Sequence, residues 1–194
     1  YATNPTVELC GIMLLDSAHI QEQDAQWKNR KGERSGAPHV EPLYTIEDAE
    51  RVRQYVTTCE YGQVIDLCPG VEVEFVDAGH LLGSACIALE LTEGEEKRRI
   101  VFSGDLGNIK QPIIRDPVHF RGADYVVMES TYGDRNHAEA WSYTDDLAKI
   151  IDETMAQGGN VIIPSFAVGR TQELLYFIRE IKDRRLVRSN PDFA

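Results

Sequence analysis

The sequence predicts an α/β fold for these 194 residues, on three observations. Apolar residues recur at spacings of three and four toward both ends, which is the period of a helix with one buried face. In the middle, Val71, Val73 and Phe75 alternate with Glu72 and Glu74, the period of a half-buried strand. Near the end a β-branched run, Val161–Ile163, is followed by a loop and then by helical spacing, as in a βα unit. With 42% hydrophobic residues the chain can bury the core of one ordinary domain, or of one domain and part of another.

Each element has its own local signal. Tyr1–Thr3 reads as the end of a strand, and Asn4-Pro5 as a helix start with proline in the first turn. Val7, Cys10, Met13, Leu14 and Ser17/Ala18 then form one apolar stripe up to the polar stretch near Gln21. Lys28–Pro42, with Gly32, Gly36, Pro38 and Pro42, reads as an exposed loop. Thr45 with Asp48 resembles a capping box, and Ile46, Ala49, Val52 and Val56 predict a helix running to about Cys59. The sheet region is expected from Gln63. It includes the strand after the Pro69-Gly70 turn, strands at Ser84–Leu91 and Arg99–Ser103 joined by an acidic Thr92–Glu96 turn, and a strand at Tyr125–Met128. Beyond Arg135 the chain is polar to Ser142. Ser142–Tyr143 with Asp145-Asp146 then looks like a helix start, and Leu147, Ile150, Ile151 and Met155 continue it to Gly158-Gly159. A last helix is expected at Glu173–Ile181.

Composition narrows the function classes. With 20 basic and 32 acidic residues the net charge is −12, so no general field attracts polyanions, and nucleic-acid affinity must come from a local site. No apolar run approaches the ~18 residues of a membrane span, no basic segment introduces a secretory signal near Tyr1, and no membrane partner is expected. Cys10, Cys59, Cys68 and Cys86 contain no C-x-x-C pair, which argues against a thiolate zinc site, and the low cysteine content, with Cys10 and Cys86 inside apolar stretches, points to reduced, buried thiols in a cytoplasmic protein.

The residues able to carry chemistry sit where strands give way to loops. They lie in Asp77-Ala78-Gly79-His80-Leu81-Leu82-Gly83-Ser84, in Ser103-Gly104-Asp105-Leu106-Gly107, and in Glu129-Ser130-Thr131-Tyr132-Gly133-Asp134. An imidazole and a carboxylate are ligands suited to zinc in a hydrolytic site. Strands paired as one hairpin would bring His80 and Asp105 to the same sheet edge. Singly, each has a plainer reading: His80 as a turn residue or a satisfied core histidine, Gly-Asp-Leu-Gly as a turn, Glu129 as a strand end. Their order, each at the end of a predicted strand, favours a site. His19, His119 and His137 lack such a setting and read as surface residues. Ser165, Gly169 and Arg170 lie between a strand and a helix N-terminus, where free N–H groups and the helix dipole favour an anion such as a phosphate; the plainer reading is a βα loop with a solvated arginine.

These motifs carry a family resemblance. Gly79–Ala85 (G-H-L-L-G-S-A) looks like the third motif of metallo-β-lactamase-fold nucleases, Ser103–Gly107 (S-G-D-L-G) like the fourth, and Glu129–Arg135 (E-S-T-Y-G-D-R) resembles the motif that marks the β-CASP branch. Tyr1–Thr6 and Met13–Gln23 resemble the stretch following the family's H-x-H-x-D-H motif, and Pro164–Glu173 the opening of the β-CASP insert, so the likeness spans essentially the whole chain. It implies a partial αββα sandwich over residues 1–135, followed by the start of a β-CASP α/β domain over 136–194. It also implies hydrolysis of RNA, with single-stranded RNA as the partner.

H-x-H-x-D-H itself is not found between Tyr1 and Ala194. The chain is therefore expected to be a truncated piece, with four zinc ligands upstream and the completing histidines downstream. In the whole site two zinc ions ~3.5–4 Å apart would activate water. The resemblance implies His80 as a ligand of one ion, Asp105 as the bridging carboxylate, and Glu129 as the carboxylate that orients a histidine outside this chain. The piece alone is expected to bind zinc weakly and to be inactive, and its first strand, as a sheet edge, invites a homodimer. Two rival readings are a small-molecule hydrolase of the same fold, for which Glu129–Arg135 and Ser165–Glu173 have no use, and a non-catalytic scaffold, against which His80 and Asp105 count.

Overall fold

The computed structural model describes residues 1–33, 36–136, 143–190 and 193. His137 and Ser142 lie outside the described residues. In chain order the elements are β1 (Ala2–Thr3), α1 (Asn4–Gly32), α2 (Ile46–Val52) with a 3-10 turn at Arg53–Tyr55, β2 (Thr58–Cys59), β3 (Val64–Cys68), β4 (Val71–Asp77), β5 (Ala85–Glu93), β6 (Glu96–Phe102), β7 (Tyr125–Val127), α3 (Tyr143–Ala156) and α4 (Arg170–Asp183). The fold is mixed α/β, as a partial metallo-β-lactamase/β-CASP fold requires. The chain divides into two compact units, one of Tyr1–Gly107 with Pro117–Met128, the other of Asn108–Asp116 with Glu129–Ala194.

The first unit is built on the sheet β3-β4-β5-β6-β7, antiparallel except for the last pair, with β1 and β2 forming a separate parallel pair. Val73 on β4 is buried with Cys59 and Ile65, against Phe75, Ile87 and Leu89. Glu74 of the alternating pattern has a use on the other face. Arg99 of β6 meets Glu90, its register partner on β5, at 3.1 Å and Glu74 of β4 at 3.4 Å, and stacks on Phe120. At the loop end of the sheet Val76, Ala78 and Cys86 form a second small core with Leu106 and Phe120.

Helix α1 runs past Gln21 to Gly32, so Lys28–Gly32 are helical and the exposed loop begins later than its composition predicts. Gln, Glu, Lys and Arg end an apolar stripe without ending a helix, since straight-chain polar residues are good helix formers. Their side chains are occupied. Asn29 brackets Val40, accepting from its amide at 2.8 Å and donating to its carbonyl at 2.9 Å; Gln21 accepts from the Leu43 amide and Glu22 from the Ile46 amide. Ala18 and Ala25 mark the buried face, whereas Met13, placed on it by spacing, is exposed.

Thr45 and Asp48 do form the capping box of α2, and its two hydrogen bonds from Thr45 hold the Asp48 carboxyl below the usual carboxylate range. This helix ends at Val52, and Cys59 belongs to β2, because Ala2–Thr3 pair with Thr58–Cys59.

In the second unit α3 and α4 bury Ala148, Ile151, Ile181, Val187 and Phe193 together. Burying Ile181 completely contributes about 1.5–3 kcal/mol. Val161–Ile163 do not form the expected strand: a strand exists only in a ladder, no strand partner is present among the described residues, and Ile162 is 87% exposed. Helix α4 begins at Arg170, three residues before the expected start.

Candidate functional site

His80 follows β4 and Asp105 follows β6. These strands are not hairpin neighbours, as the sequence reading had them; β5 lies between, antiparallel to both, so β4 and β6 run the same way and end at the same edge. There His80 Nε2 and Asp105 Oδ2 are 3.9 Å apart, with the side chains 41% and 76% exposed. Both can therefore be reached from solvent.

Backbone hydrogen bonds hold the two loops. Asp77 Oδ1 accepts from the Gly79 amide at 2.9 Å, and Ser84 Oγ accepts from the amides of His80 and Leu81, each at 3.1 Å. The Ser84 carbonyl accepts from Tyr61 Oη at 2.9 Å and from the Ala78 amide at 3.2 Å. The Asp105 loop is docked on the His80 loop by Gly107, whose amide donates to the Ala78 carbonyl at 2.9 Å. A Cβ on Gly107 would fall on the Gly79 carbonyl and lie 2.6 Å from the His80 nitrogen, so only glycine allows this approach. From the other side buried Cys86 donates its thiol to the Ser103 carbonyl at 3.1 Å, and burial pushes that thiol's pKa up.

One imidazole nitrogen and one carboxylate oxygen are a donor pair that zinc accepts. Two ligands with bonds of ~2 Å in tetrahedral geometry stand roughly 3.3 Å apart, so this pair needs to close by about half an ångström. Among the described residues no group of three His, Cys, Asp or Glu side chains is placed to hold an ion. The residues fit part of a coordination sphere.

In the second unit Glu129 is half-buried and precedes two successive turns, closed by Gly133 N–H to the Ser130 carbonyl and Arg135 N–H to the Tyr132 carbonyl. Arg135 pairs with Asp134 at 3.0 Å and lies over the Tyr132 ring. Ser165, Gly169 and Arg170 come together at the start of α4, and their polar atoms have protein partners. Thr171 Oγ1 lies 3.1 Å from Ser165 Oγ and donates to the Phe166 carbonyl at 2.6 Å, the Gly169 amide donates to Gln172 Oε1 at 2.7 Å, and Arg170 pairs with Glu173 at 3.0 Å. His19 and His119 are exposed.

Sequence reasoning places Asp77, Ser84 and Gly107 inside the motifs without the bracing bonds they make, and does not single out Tyr61. For Asp77 and Ser84 a signal existed, since Asx and Ser side chains bonding amides two to four residues away are ordinary loop chemistry. For Tyr61 none did.

No family model matches the chain. Among curated proteins it is 35% identical over 178 residues to Ribonuclease TTHA0252 of Thermus thermophilus, covering 92% of this chain and 36% of that protein. It is 32% identical over 183 residues to the transcription termination factor FttA of Thermococcus kodakarensis, covering 93% and 26%. To the endoribonuclease YSH1 of Eremothecium gossypii it is 28% identical over 181 residues, covering 93% and 22%. The chain thus spans about a third or less of the length of these relatives. With three motifs in order on loops of a mixed α/β fold and relatives that match along nearly all of it, the chain is homologous to proteins of the β-CASP branch of the metallo-β-lactamase family.

Proposed function

We propose that the whole protein hydrolyses phosphodiester bonds of single-stranded RNA in the cytoplasm with zinc as its cofactor. The observation that carries this reading is the convergence of His80 and Asp105 at 3.9 Å on one sheet edge, both accessible, in a chain whose relatives bear the names of ribonucleases. His80 would offer a ring nitrogen and Asp105 a carboxylate able to bridge two ions. Zinc, when bound, supplies Lewis acidity and brings the pKa of water toward ~7. Glu129 orients and polarises a histidine contributed from outside this chain. Arg170 and the start of α4 meet a phosphate of the RNA.

The test is cleavage of labelled single-stranded RNA by the whole protein, with zinc and after its removal by chelation. His80→Ala and Asp105→Asn are expected to abolish cleavage and to lower zinc content. Cleavage that survives both substitutions would sink the proposal, and zinc-loaded protein that never cleaves RNA would favour the scaffold reading. Glu129→Gln should cost ~10–100-fold in rate while most zinc stays bound; loss of a full zinc equivalent would instead make Glu129 a ligand.

A further inference from the structure

The Ala2-Thr3-Asn4-Pro5-Thr6 segment has no part in the function proposed above, yet it braces the His80 loop from below. Thr3 is 3% exposed, and its Oγ1 donates to the Gly83 carbonyl at 2.7 Å. Thr6 Oγ1 donates to the same carbonyl at 3.0 Å, and the two hydroxyls are 2.9 Å apart. Two hydroxyl protons thus serve three oxygen contacts, and the shortest, from Thr3 to Gly83, is the strongest candidate for a bond that is always made.

Thr3 occupies the N-cap of α1, where a threonine hydroxyl ordinarily accepts from an amide of its own first turn. Here it makes no such bond. The hydroxyl faces a loop 80 positions away instead. Thr3 is itself anchored, since β1 pairs with β2 and the Ala2 amide donates to the Thr57 carbonyl at 3.0 Å. The junction is tight on the loop side too. Gly83 has φ +90°, and a Cβ there would lie 2.6 Å from the Thr6 nitrogen and hydroxyl and 2.9 Å from the Thr3 hydroxyl.

We propose that Thr3 and Thr6 are positioning residues that clamp Gly83 and thereby set the His80 imidazole opposite Asp105. The inference rests on reading His80 and Asp105 as zinc ligands. Gly83 is followed by Ser84, whose hydroxyl fixes the His80 amide, so a displaced Gly83 carbonyl moves the peptide that aims the ring.

The experiment uses the whole protein, with zinc affinity measured by chelator competition, the visible spectrum of the Co2+-substituted form, and the thermal midpoint. Thr3→Val keeps the shape and removes the hydroxyl; it should weaken zinc binding ~10–100-fold and alter the Co2+ spectrum. Thr3→Ser should restore both, and Thr6→Val should have the smaller effect. Folded Thr3→Val protein with wild-type zinc affinity and spectrum, even at a lowered midpoint, overturns the proposal. If Thr3→Val does not fold, unchanged zinc affinity in Thr6→Val overturns it equally. His80→Ala separates the two claims. If it too leaves zinc affinity intact, the zinc site itself is misread; if it loses zinc while Thr3→Val does not, only the positioning role fails.

Discussion

The loop that carries His80 and the loop that leads into Arg170 are made from the same kinds of residue, glycines at positive φ with a hydroxyl nearby, and they use those groups differently. Around His80 the bonding is to backbone: Asp77 and Ser84 hold amides, and Thr3, Thr6 and Tyr61 hold carbonyls. The histidine and Asp105 are left accessible. Before α4 side chains also reach backbone, Gln172 the Gly169 amide and Thr171 the Phe166 carbonyl, but the arginine that would meet a ligand is itself paired, Arg170 with Glu173 at 3.0 Å. A loop braced through its backbone presents its side chains to a ligand. One whose functional side chain is already paired offers a ligand only what it can give up.

If that contrast is right, steric change should damage the first loop pair most. Gly107→Ala places a methyl group on the Gly79 carbonyl, which cannot relax without separating the two loops. It should cost about 3 kcal/mol or more, read as a lowered denaturation midpoint, with zinc affinity falling as well. An alanine variant of native stability would mean that the loops are not locked together.

Charge should matter more in the second unit. If Arg170 meets a phosphate it must leave Glu173, so Arg170→Ala should weaken RNA binding and reduce its salt dependence by about one unit in the log–log slope. Glu173→Gln, which frees the arginine, should shift affinity the opposite way. Identical salt titrations for all three proteins would make the pair a self-contained helix cap with no role in binding.

The smallest expected effect is on acid stability, again in the second unit. Asp152 accepts from the Ser189 amide at 2.7 Å, from its hydroxyl at 2.8 Å and from the Arg188 amide at 2.8 Å. The Ser189 bonds, first among these causes, hold the Asp152 carboxyl below its ordinary value of 3.8. The folded state therefore binds this proton less readily than the unfolded one. Asp152's contribution is complete above the ordinary value and is lost as pH falls from there through the lowered one. Hydrogen exchange at the Ser189 amide should speed up at the acid end of that window, and Asp152→Asn should remove this pH dependence. Equal protection of Ser189 at neutral and strongly acid pH would rule the mechanism out.

What the sequence determined by itself was local. The Val71–Phe75 alternation, the Thr45–Asp48 capping box and the turn residues around His80, Asp105 and Glu129 all act over a few positions, and their energies depend little on the rest of the chain. The motif loops were legible for that reason. The tertiary structure decided what depends on distant partners. Insertion of β5 between β4 and β6, rather than a shared hairpin, brings His80 to Asp105. Polar residues of α1 find their partners in the returning segment, whose amides at Val40, Leu43 and Ile46 they bind. Val161–Ile163 have the composition of a strand but, among the described residues, no ladder to join. Thr3 gives up its own helix cap for a carbonyl 80 positions away. Spacing and propensity describe a residue's neighbours in sequence, and each of these outcomes was settled by a neighbour in space.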